Sequence, residues 1–204
     1  MGVVAMLIFV PFNYYGIKAF GRTNNGLSII KLVLYVLVAI GLLSMGHFGN
    51  FSNYGGFAPF GFNGMFLAIP LAMFAFGGIR VIPDYSEEAN QDSHVGRSIM
   101  WTVFGQSIIY LLLAIAFVAG LNWAADGLKV GAWTSVSSLP GNPFLVLAQH
   151  GSISWLVIAT VIIAIIGPFV TGYIYQGAGT RVLFAMGRSG IVAKKMREVS
   201  ENYA

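Results

Sequence analysis

The residue types with the most chemistry to offer crowd into one apolar run, 70–89, which reads PLAMFAFGGIRVIPDYSEEA. Adjacent glycines at 77 and 78 each cost a helix about 1 kcal/mol relative to alanine. Pro83 removes a backbone donor and disfavours helical geometry just before it. Together they predict a helix that is broken inside an apolar layer. Irregular backbone at membrane depth persists only where protein or water surrounds it, and the amides, carbonyls and half-helix ends it frees can hold charged groups of a ligand. The competing reading is close helix packing through small residues. Arg80 adds a guanidinium to the same run, at a cost of about 2.5–3.5 kcal/mol or more near a bilayer centre. Either it faces a polar interior, holding a carboxylate or pairing with Asp84, Glu87 or Glu88, or it snorkels to the nearer interface.

Two further positions carry polar chemistry in apolar surroundings. Lys31 lies between Ile29-Ile30 and Leu32-Val33. It either snorkels or, in a low-dielectric pocket, takes up and releases a proton. The segment 165–181 brings Pro168, Thr171, Tyr173, Gln176 and Thr180 together, and their hydroxyls either line a pathway or bond back to the preceding turn. Enzymatic machinery is not in evidence. There is no cysteine, the three histidines His47, His94 and His150 are far apart, and no phosphate loop, nucleophile elbow or zinc pair occurs. Gly177-Ala178-Gly179 lacks the third glycine and the preceding strand of a dinucleotide fingerprint. The chain reads as a non-enzyme without metal or cofactor.

The elements that must position these residues follow from composition. Of 204 residues 57% are hydrophobic and 9% charged, which excludes both an ordinary soluble domain and a disordered chain. A spanning helix needs about 20 mostly apolar residues. Runs at 26–46, 61–82, 99–121 and 153–175 meet that length, and 1–15 reads as the end of another span. One transmembrane domain, 1–204, is therefore expected, all-α, with a tail at 176–204. Lys18, Arg22, Lys31, Arg97, Arg181, Arg188, Lys194, Lys195 and Arg197 fall on one side of this arrangement, and Lys129 alone on the other. Positive charge stays inside, so a multi-pass protein of the cell membrane with a cytoplasmic tail is expected. The net charge of +4 then reflects topology, not nucleic acid. Trp101, Trp123 and Trp155 fall at span ends, where such rings favour the headgroup level. The outer loop holds a helical, semi-apolar piece at 142–150, and Asn50-Phe51-Ser52 matches a glycosylation sequon best attributed to chance.

The run Phe74-Ala75-Phe76-Gly77-Gly78-Ile79, with Glu87-Glu88 after it, resembles the broken sixth helix of amino acid/polyamine/organocation permeases. The run Thr180-Arg181-Val182-Leu183-Phe184-Ala185-Met186-Gly187-Arg188-Ser189-Gly190 is similar to the motif that follows their eighth helix. Lys31 resembles a lysine near the inner end of the fifth, and Asn142-Pro143-Phe144 the start of an outer lid helix. The resemblance covers nearly the whole chain and implies helices four to eight of a transporter whose ten core helices form two inverted repeats of five. It implies secondary active transport of amino acids or related small amines, with helices one to three and nine onward supplied from elsewhere. By that resemblance Phe74, Ala75, Phe76, Gly77, Gly78, Ile79 and Arg80 form half of a substrate site, and Lys31 with Thr171 serves ion coupling, by a proton more than by sodium. Arg80 departs from the family pattern, which leaves the substrate class open. The alternative is a non-transporting membrane subunit that associates with or regulates another membrane protein.

Overall fold

The computed structural model describes residues 7, 10, 17–55, 58–89 and 92–198. Regular structure among them is entirely helical. The order is α1 (Ile17–Leu43), a 3-10 turn (Phe48–Phe51), α2 (Gly61–Ala75), a 3-10 turn (Gly77–Arg80), α3 (Val81–Asp84), a 3-10 turn (Ser86–Glu88), α4 (Asp92–Gly120), a 3-10 turn (Trp133–Ser138), α5 (Pro143–His150), α6 (Ser154–Arg188) and a 3-10 turn (Lys194–Arg197). Among the described residues four stretches are long and apolar enough to cross a membrane: Gly21–Leu43, Gly61–Asp84, His94–Gly120 and Ser154–Arg188. Such segments are helical because hydrocarbon satisfies no backbone group, so each must bond internally. Pro70 within α2 and Pro168 within α6 are accommodated without ending either helix. The expected partial span at 1–15 lies outside the described residues apart from Leu7 and Val10, both helical and exposed.

The chain divides into two compact units, one of Lys31–Gly77 and Val103–Ile165, the other of Met1–Ile30, Gly78–Thr102 and Ile166–Ala204. The first contains the main apolar core. Val38, Ala39 and Leu42 of α1 pack there with Ala116 of α4, Leu147 and Ala148 of α5, and Leu156 and Ala159 of α6. Small residues let the backbones approach. A Cβ added at Gly41 would stand 2.6 Å from Leu156 Cδ1, and one at Gly120 would stand 3.0 Å from Leu42 Cδ2.

A polar hub closes one end of this unit. Asn50 is 5% exposed and donates through Nδ2 to the carbonyls of Val118 (2.9 Å) and Leu121 (2.8 Å). These are orphan acceptors at and just beyond the end of α4. Its Oδ1 accepts from Trp123 Nε1 at 2.9 Å. Trp123 is therefore buried in protein, contrary to its expected place at the headgroup level, because its indole donor finds a side-chain partner. Asn50 has no free amide for a glycan, which disposes of the sequon. Trp123 and Trp133 meet edge to face with centroids 4.8 Å apart.

The helix expected at 142–150 forms as its sequence predicts. Asn142 caps α5 by accepting from the Phe144 amide at 3.0 Å, with Pro143 at the first helical position, the residue order that starts a helix best. Its far end is tied by His150, whose Nδ1 lies 2.7 Å from Oδ1 of the buried Asp126. Asp126 Oδ2 accepts from the Asn122 amide at 2.9 Å.

Candidate functional site

The apolar run 61–84 does break. α2 ends at Ala75, the Phe76 amide turns back to the carbonyls of Met73 and Phe74, and Gly77–Arg80 continues as a 3-10 turn. The interruption is thus a tightening of the helix and not an extended stretch. It begins before the glycines, at Phe76. Pro83 sits inside the short α3, where its missing amide falls in the first turn and costs nothing.

In the first unit, the carbonyl of Ala75 accepts from Gln106 Nε2 at 3.1 Å and from Tyr110 Oη at 2.8 Å. Both donors stand one turn apart on α4, and Gln106 also donates to Tyr110. The Phe76 ring meets Tyr110 edge to face with centroids 5.2 Å apart. The last carbonyl of α2 is therefore held by side chains, as irregular backbone at this depth requires. Sequence reasoning missed Gln106 and Tyr110. The available signal was two hydrogen-bonding side chains at i and i+4 in an otherwise apolar span. Phe74 points away from the protein, 87% exposed. Gly77 stands open, with no atom within 4 Å of a Cβ built there. Lys31, where this unit begins, is half-buried on α1.

In the second unit, Gly78 is equally open and Ile79 is partly buried. Arg80 is exposed, and its guanidinium lies 5.9 Å from the Tyr175 ring centroid. The carboxylate of Glu87, one partner expected for Arg80, instead accepts from Arg188 at 3.1 Å. Tyr85 packs on the buried Tyr173, donates through Oη to the Ile174 carbonyl at 2.9 Å, and receives the Arg181 guanidinium over its ring at 4.1 Å. Arg181 Nη1 also donates to the Gly177 carbonyl at 2.8 Å. Two motifs about a hundred residues apart in sequence are thus joined through Tyr85–Arg181 and Glu87–Arg188. Thr171 is exposed and its hydroxyl bonds back to the Gly167 carbonyl at 2.9 Å.

In the first unit the last carbonyl of α2 is clasped by α4 and Gly77 stands unobstructed; in the second, Tyr85 and Glu87 are held by α6, and Gly78 stands unobstructed two residues before an exposed arginine. Backbone of that kind lets a small polar ligand approach closely, since no side chain blocks it. The arginine offers a bidentate partner for a carboxylate.

No solved structure matches the chain. Among curated proteins it is 28% identical over 91% of its length to an aspartate-proton symporter of Bacillus subtilis, covering 35% of that protein. It is 28% identical to the glutamate/serine transporter AimA of the same organism, over 90% of this chain and 34% of the relative. The lysine-specific permease LysP of Lactococcus lactis is 26% identical over 98% of the chain, which covers 42% of it. The chain thus spans between about a third and less than half of the length of these relatives. The profile of the amino acid permease family matches residues 1–204 without a gap at either end, and the chain belongs to that family.

Proposed function

We propose that this chain supplies the portion of an amino acid permease equivalent to helices four to eight, and that with the remaining helices it carries out secondary active transport of amino acids or related small amines. The observation that carries the reading is the broken span: a helix interrupted at Phe76–Arg80 with Gly77 and Gly78 open, in a chain of this family. Phe74 to Arg80 form half of the substrate site in this reading. Gly77 and Gly78 offer backbone amides and carbonyls to the substrate, Phe76 packs on it, and Arg80 holds a carboxylate. The other half comes from a first helix, within an inverted repeat of five helices and five. Lys31 and Thr171 serve coupling, and a proton is the favoured ion, in keeping with the name of the aspartate-proton symporter among the relatives. The charge distribution supports a cytoplasmic C-terminal tail, with lipid around the spans and the whole as one transmembrane domain.

The test is uptake of a labelled amino acid pool by proteoliposomes holding this chain, beside liposomes holding it joined to helices one to three and nine onward. Uptake by the completed protein alone, abolished by Gly78→Val, is the expected result. Failure of both, with the 204-residue chain folded and co-purifying with another membrane protein, would replace this reading with that of a non-transporting subunit.

A further inference from the structure

We infer that the segment following α6, 189–198, is a docking surface for anionic phospholipid headgroups. Its shape is fixed by the way α6 stops. Gly190 takes φ +75°, the Ile191 amide reaches back to the Met186 carbonyl at 3.0 Å and the Gly190 amide to Gly187 at 3.4 Å. This is a Schellman closure, which a glycine at that position makes inexpensive. The chain then returns along the helix. A Cβ at Gly187 would stand 3.0 Å from the Arg197 amide nitrogen and 3.1 Å from the Met196 carbonyl carbon, so the 3-10 turn Lys194–Arg197 lies directly on the last turn of α6.

This fold-back presents Lys194, Lys195 and Arg197 to the surroundings, all exposed, together with Ile191 at 69% and Met196 at 52% exposure. Arg188 is committed to Glu87, and Glu198 is the one described carboxylate in the segment, so the turn keeps a net positive charge. A cationic cluster that follows a membrane-spanning helix lies on the headgroup side of that helix's end, where anionic lipid draws it in. The exposed isoleucine and methionine decide between lipid and soluble anions. Apolar side chains beside the cations gain from the acyl boundary of a bilayer and gain nothing from a free phosphate.

The chain contains no cysteine, so Ala193→Cys carries a single fluorophore beside the turn. The labelled chain is placed in nanodiscs of phosphatidylcholine alone, or mixed with phosphatidylglycerol, with a nitroxide on a fraction of the headgroups. Quenching several-fold stronger with the anionic lipid, falling as salt is raised, is the expected result. Lys194→Gln, Lys195→Gln and Arg197→Gln together should reduce it to the neutral-lipid level with the thermal melt unchanged. Equal quenching in both lipids, or no response to salt, overturns the inference, and the salt series decides even if the triple variant fails to fold. A shift of the label on adding inorganic phosphate to neutral discs would overturn it in favour of a soluble-anion site.

Discussion

Asn50 shows how much one side chain can hold. Its amide satisfies two carbonyls at the end of α4 and its oxygen satisfies a buried indole. An apolar replacement leaves two buried polar groups and one partly buried one without this partner, each buried one costing about 1–3 kcal/mol. Asn50→Leu should therefore lower stability by roughly 3 kcal/mol or more, read as an earlier melt of the detergent-solubilised chain with a red-shifted Trp123 emission. A melt and spectrum like those of the unchanged chain would refute this role. The residue's importance was not legible in sequence. Asn50 sits in a polar, glycine-rich loop where an asparagine is unremarkable, and its three partners lie 68 to 73 positions away. Gln106 and Tyr110 differ in degree: their polarity in an apolar span marks them, but nothing in the chain says that their target is the Ala75 carbonyl. Arg80 stands out for the same reason, and one of the three carboxylates expected to meet it, that of Glu87, is bonded to Arg188 instead.

At the scale of elements, what sequence discloses is existence and extent. The apolar runs gave four spanning helices close to where their length predicted them, and Asn142-Pro143 announced α5 through its capping chemistry. Pairing is another matter. A helix that is apolar all round has no stripe to say which face meets protein and which meets lipid, so the packing of α1 on α6 emerges only from the structure. Gly41 is the point of that packing. Valine there would press on Leu156 Cδ1, 2.6 Å from the position of the new Cβ, and on Trp155 Cη2 at 2.9 Å. Leu156 is fully buried and has nowhere to retreat. Gly41→Val should destabilise by about 1–3 kcal/mol, the usual cost of overpacking, with Gly41→Ala affected less. Adding Leu156→Ala should recover part of the loss in a double-mutant cycle. Additive losses would mean that the two residues do not share this contact.

For the whole molecule, coupling and orientation are the properties that must be measured across a sealed membrane. Lys31 is half-buried on α1 and, among the described residues, makes no ion pair or hydrogen bond. If it carries the coupling proton, Lys31→Gln in the completed permease should abolish uptake driven by a pH gradient while amino acid exchange at equal pH persists. Unchanged pH-driven uptake would remove Lys31 from the mechanism. Orientation rests on the bias of lysine and arginine toward one set of loops, and the absence of cysteine makes it directly accessible. Ser137, in the long loop between α4 and α5, and Ser189, just after α6, are both exposed and bond only to carbonyls of their own turns, so either tolerates replacement by cysteine. With the tail in the cytoplasm, a membrane-impermeant maleimide applied to intact cells should label Ser137→Cys at once. It should label Ser189→Cys only after permeabilisation. The reverse pattern would invert the topology and place the cationic turn after α6 at the outer leaflet. The lipid contact of that turn would survive this, because it depends on headgroup charge and not on the side, whereas proton coupling through Lys31 would need its direction reassigned.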